Sequence, residues 1–211
     1  MPAIIILGGH RSGTSVTARL IHELGFPAAP TAGRLLSGHP MDNPDGYYED
    51  TAFLNLHRRM LGEHSVAHGG WKNPRRDDAE ILRLRPEYRR RVEERQAESR
   101  DWSLKDPRLC LVGDVLFDVL DELAIEYRIV TTPRAIDEVV TSLKRRGLAE
   151  VDAARIAEMD EAGRRAVVQM AVDRGMPCLE ISLASGKTPE EVESAVGELV
   201  RFLGRDEAAV G

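Results

Sequence analysis

The stretch AIIILGGHRSGTS, residues 3 to 15, sets a glycine-rich turn directly after a short apolar run. Backbone amides from Gly9 to Ser15 can wrap an anion there, and a helix starting behind them would turn its positive end to the same point. The spacing Gly8-x4-Gly13 followed by hydroxyl residues fits the outline of a phosphate-binding loop. One position departs from it. The lysine expected between Gly13 and Ser15 is replaced by Thr14, and the nearest cation is Arg11 inside the loop. A helix start that merely happens to be rich in glycine is the simpler alternative. It is outweighed by the agreement of apolar run, glycines, RSGTS and amphipathic segment. A dinucleotide fingerprint is excluded, because G-x-G-x-x-G is absent.

Two further cations stand where chemistry could use them. The segment WSLKDPRL reads as a short interior strand that ends at Lys105 or Asp106. Open α/β sheets bind ligands at such strand ends. The alternative is a surface lysine paired with Asp106. Arg134 falls in the first turn of the segment TPRAIDEVVTSLKRRG, read as a helix capped by Thr132 with Pro133 at its first position. A cation there opposes the macrodipole by a few tenths up to about 1 kcal/mol, and a bound anion would reverse that sign. The alternative is a solvent-exposed arginine.

The elements that must position these residues alternate along the chain. AIIIL, WSLK, EYRIVTT and PCLEISL read as buried strands. Between them lie helical patterns. The first puts Val16, Leu20, Ile21 and Leu24 on one face and stops at Gly25. The second runs from about Glu49 to Leu61. A charged helix over 79–98 should be interrupted at Pro86, and its mixed-sign run YRRRVEERQ reads as a solvated face. An apolar helix follows the KDPR segment. The TPRAIDEVV helix has Ile136, Val139, Val140 and Leu143 as its core stripe and Lys144 to Arg146 at its negative end. An Ala-rich helix spans roughly Asp152 to Arg174, and a last one is capped by Thr188 and closed by Gly204. Strands separated by helices imply an α/β fold: a three-layer parallel sheet with helices on both faces.

The 211 residues suit a single domain, 1–211, in which 27–48 and 62–100 form a substrate-side loop and a helical insert. A formal charge of −6 argues against a duplex nucleic-acid binder. Cys110 and Cys178 lack metal-ligand spacing and read as buried free thiols of a reducing compartment. The N-terminal apolar run is too short for a signal peptide, and no stretch is long enough to span a bilayer, so a cytoplasmic location is expected.

With these residues in view, the chain resembles the sulfotransferase family, whose members move a sulfuryl group from 3′-phosphoadenosine 5′-phosphosulfate (PAPS) to an acceptor. RSGTS matches that family's first loop, and NPDGYYED, KDPR and the closing CLEISLASGKTPEEVESAVGELVRFLG are similar to further segments of bacterial members. The resemblance implies the family's phosphate-loop (P-loop) fold. It implies that Gly9, Arg11, Ser12, Gly13, Thr14 and Ser15 hold the 5′-phosphosulfate, that Lys105 contacts the sulfuryl group, and that Arg134 and Ser142 hold the 3′-phosphate at the family's eight-residue spacing. Eight residues of ideal helix rise about 12 Å. The pair can therefore share one phosphate only if the helix begins after Arg134 or the arginine folds back along it. The C-terminal RKG segment of animal members is missing, and Pro107 stands where they carry a catalytic histidine. The proton acceptor must then come from elsewhere. Glu49, at a helix start, is the first choice and Asp106 the second, with His39, His57 and His68 unsupported alternatives. The acceptor would be a small molecule or a glycan, and no metal is required. Two other readings stay open: a phosphate-loop nucleotide kinase or NTPase, for which Thr14 replaces the needed lysine, and a non-catalytic nucleotide-binding protein.

Overall fold

The computed structural model of the chain describes residues 2–39, 43–62, 76–183 and 187–205. Strand β1, Ala3–Leu7, is wholly buried. Parallel partners flank it on both sides, β2 (Ser103–Lys105) and β3 (Tyr127–Thr131), and β4 (Cys178–Glu180) adds to the far edge of β3. The order β2-β1-β3-β4 puts β1 and the loop that leaves it at the middle of an all-parallel sheet. Ile6 pairs with Lys105 and Leu7 with Thr131. The loop after β1 therefore opens beside the ends of both neighbours.

Seven helices accompany the sheet among the described residues: α1 (Thr14–Glu23), α2 (Thr51–Met60), α3 (Asp78–Glu98), α4 (Leu109–Glu122), α5 (Ile136–Lys144), α6 (Glu150–Asp173) and α7 (Pro189–Leu203). Ala3, Ile5 and Leu7 point to a core shared with α2, α3, α4 and α6. Ile4 and Ile6 point to the opposite core, built with α1 and α7. A strand buried on both faces has no polar alternation, so AIIIL is unbroken. Among the described residues no helix is long and apolar enough to cross a membrane. Both cysteines are free thiols; Cys110 is buried and Cys178 half-buried.

Four local expectations are corrected. In α1 the core face is Thr14, Thr17, Ala18 and Ile21, while Val16 is 51% exposed. The second helix begins after Asp50, whose side chain accepts from the Ala52 amide, so Glu49 precedes the helix. Helix α3 runs straight through Pro86. The carbonyl that Pro86 cannot bond belongs to Leu82, and both residues face solvent, where water can satisfy it. Helix α5 starts at Ile136 with Ala135 as its cap, so Thr132, Pro133 and Arg134 stand outside it. Within α5, Val139 and Leu143 are buried and Ile136 is 39% exposed. The charge run of α3 is solvated as expected, with pairs such as Arg89–Glu93 and Arg90–Glu94. Arg95 is its exception: it is buried over the Trp102 ring and donates to the Pro27 carbonyl.

Candidate functional site

The β1–α1 loop is held by its own residues and by others packed against it. Ser12 is buried and its hydroxyl donates to the Gly9 carbonyl, while its oxygen lies 3.1 Å from the Thr132 hydroxyl. Gly9 has a steric reason: a Cβ there would lie 2.6 Å from Cβ of Asp160 on α6. Arg11 adopts φ 69° and Gly13 φ 89°. Left-handed backbone at an arginine costs about 1–2 kcal/mol, and such strain persists where surroundings over-determine it. Here Arg134 Nη1 donates to the Arg11 carbonyl at 2.6 Å, and Arg11 Nε donates to Ser142 Oγ at 2.9 Å. No side chain caps α1 at Gly13, and no acidic residue sits in its first turn. A helix start of this kind can receive an anion on its leading amides.

Lys105 comes to the same loop from β2. Its Nζ lies 2.6 Å from Glu49 Oε1, 3.2 Å from the Tyr47 carbonyl and 3.4 Å from Ser15 Oγ. Lys105 is 3% exposed and Glu49 5%. An ammonium from the neighbouring strand therefore reaches the end of the loop that carries no lysine. Glu49, expected at a helix start, stands before the helix and pairs with Lys105.

These groups line one cleft of about 500 Å³. Arg11, Thr14, Ser15, Glu49, Lys105 and Arg134 all contribute to its wall, as do Leu36, Asn43 and Tyr47 from the 27–48 segment. Residues 76–98 of the other expected substrate-side segment pack instead on α2 and α4, and residues 63–75, His68 among them, lie outside the described residues. Arg134 and Ser142 are brought together, but through Arg11: one holds its carbonyl, the other its guanidinium. Because α5 begins after Arg134, the macrodipole argument for that arginine falls away, and the rise of eight helical residues no longer separates the pair.

The cleft is also lined by cations that sequence reasoning did not place there. Arg146, read as a complement to the end of α5, lines it, as do Arg58 and Arg108. Burial, then the neighbouring Arg11, brings the Arg146 guanidinium down to about 10. Burial, then Arg134, lowers Arg11. Like charges gathered in a half-buried cleft disfavour their own charged forms, and an anion among them relieves the repulsion. The only sequence signal for Arg146 was its place four residues after Ser142, which is too common a spacing to read.

Asp106, the second candidate base, is 1% exposed behind the cleft. It accepts from His57 Nδ1 at 2.8 Å and from the Arg108 amide and Nη1 at 3.0 and 3.1 Å. Burial alone would raise its carboxyl; Arg108 and His57 outweigh burial and hold it well below the ordinary carboxylate range. It is locked as an anion and aims Arg108. His57 is fully buried between Asp106 and the Tyr88 hydroxyl, each at 2.8 Å, and lines no part of the cleft. His39 bridges backbone-to-backbone with Asn43 and is likewise outside the wall. His10, in contrast, lines the cleft with its ring nitrogen Nδ1 2.8 Å from Asp160 Oδ2. Among the described residues no group of three or more His, Cys, Asp or Glu side chains could hold a metal ion.

Comparison of the chain with protein-family models, with curated proteins and with solved structures found no match.

Proposed function

We propose that this chain is a sulfotransferase with a phosphate-loop fold, moving the sulfuryl group of PAPS to a hydroxyl or amine acceptor. One observation carries the reading: Lys105 Nζ stands 3.4 Å from Ser15 Oγ. The cation missing from the loop is supplied from the next strand, and Arg11 adds a second from within. The cleft volume suits a nucleotide-sized ligand. In this reading the loop amides, Arg11 and Lys105 hold the phosphosulfate, and Arg134 and Arg146 hold the 3′-phosphate. Arg146 thereby joins Arg134 as a cation of the cleft wall.

The transfer is in line. The acceptor heteroatom bonds to sulfur as the bond from sulfur to the phosphate oxygen breaks, and the electron pair leaves on that oxygen. Negative charge grows on the leaving oxygen, where fixed amides and cations stabilise it most. Leu36, Asn43 and Tyr47 are placed to contact the acceptor.

A nucleotide kinase of the same fold would place its lysine between Gly13 and Ser15, where Thr14 stands. Calorimetry separates the readings. Titrations with 3′,5′-adenosine bisphosphate and with ATP, each with and without magnesium, should give metal-independent binding of the bisphosphate. Tight magnesium–ATP binding without bisphosphate binding would sink the proposal.

A further inference from the structure

The reaction proposed above needs a proton acceptor, and the two carboxylates expected for it are committed elsewhere. Glu49 is paired with Lys105 at 2.6 Å, and Asp106 is buried with Arg108 and His57. We propose that His10, oriented by Asp160, is the group in the cleft that takes the acceptor's proton. This rests on the sulfotransferase reading of the same site.

The geometry is that of an oriented base. Asp160 is 3% exposed on α6, and its Oδ2 accepts from the His10 amide and from the ring at Nδ1, both at 2.8 Å. A carboxylate only accepts, so the Nδ1 proton is turned to it. In the neutral imidazole the lone pair is then on Nε2, as in other acid–base dyads where a buried carboxylate fixes the tautomer. The His10 side chain is 21% exposed and lines the cleft. Small residues allow this approach. A Cβ on Gly9 would lie 2.9 Å from Asp160 Oδ2, and a Cβ on Gly163 would lie 2.3 Å from the Cys110 carbonyl, so α6 can close on α4 and on the loop. Among the described residues, the charged and titratable groups near the dyad include Asp160 and Arg164 on α6, Cys110 on α4 within the field of both, and Arg11 and Arg108 on the cleft wall.

The step balances. The acceptor oxygen bonds to sulfur, its proton passes to His10 Nε2, and the bond from sulfur to the bisphosphate oxygen breaks with its electron pair. The imidazolium then returns the proton to solvent. A purely structural dyad would only pin the loop to α6.

His10→Asn separates these roles, because its amide can still donate to Asp160 but it has no base. Bisphosphate affinity is measured by calorimetry, and turnover of PAPS is followed with water and with simple phenols as acceptors. His10→Asn should retain affinity within about threefold and lose about 10²–10⁴ in turnover. In the wild type, ¹⁵N spectra of the imidazole should show the proton on Nδ1. The inference is overturned if His10→Asn turns over like the wild type, if the Nε2–H tautomer dominates, or if bisphosphate binds and no donor is ever consumed. Loss of affinity in His10→Asn together with turnover assigns the dyad to structure alone. Failure of the wild type to bind bisphosphate would instead sink the sulfotransferase reading itself.

Discussion

Replacing Lys105 by Met tests whether this ammonium is an interior part of the site. The Lys105–Glu49 pair is 2.6 Å long, with exposures of 3% and 5%. Removing one partner of a buried pair leaves an uncompensated charge, which costs about 3–5 kcal/mol. For a chain of this size each kcal/mol moves the melting temperature by roughly 2–4 °C. Lys105→Met should therefore melt roughly 6–20 °C below the wild type. Adding Glu49→Gln removes the stranded carboxylate, so the double variant should recover part of that loss. The coupling from the four-protein cycle should be about 0.5–3 kcal/mol. Urea unfolding of all four proteins provides the numbers. Losses that simply add would refute the pairing and the interior placement of Lys105 with it.

Other perturbations give distinct signatures. Arg146→Ala should weaken bisphosphate binding about 10–100-fold; the rise in melting temperature on adding the bisphosphate should be smaller than in the wild type. Gly9→Ala drives a Cβ to within 2.6 Å of Asp160 Cβ, so the loop must shift; bisphosphate binding should fall at least about tenfold while far-ultraviolet circular dichroism is unchanged. Asp106 is held below its ordinary range when folded, so its contribution is complete above its unfolded value of about 3.9 and is lost as pH falls through its folded value. The stability gap between wild type and Asp106→Asn should accordingly be widest near pH 7 and narrow below about pH 4, and a constant gap would contradict the Asp106–Arg108–His57 lock.

The sequence carried the fold at the level of layers because its strands and helices each have a local cause. AIIIL has no polar alternation, Thr188 with Glu191 forms a complete capping box, and Gly147 and Gly204 close their helices at positive φ. What it did not carry were contacts decided by tertiary packing. Pro86 is tolerated because its orphan carbonyl faces water. Glu49 moved out of the helix because Asp50 is the better-placed cap. The loop residues Arg11 to Ser15 could be found by spacing alone, and Lys105 by its place at a strand end. The His10–Asp160 pair joins residues 150 apart, and Arg146 lines the cleft from beyond the end of α5. No local pattern encodes either.

Under the proposed function, this cleft reads a nucleotide by a phosphate at each end. Calorimetric affinities for 3′,5′-adenosine bisphosphate and adenosine 5′-monophosphate, in wild type and Arg134→Ala, test it most directly. The bisphosphate should bind the wild type at least about tenfold more tightly, consistent with about 1.5–3 kcal/mol for hydrogen bonds to a charged group, and Arg134→Ala should erase most of that difference. Equal affinity of the wild type for the two nucleotides would contradict the account.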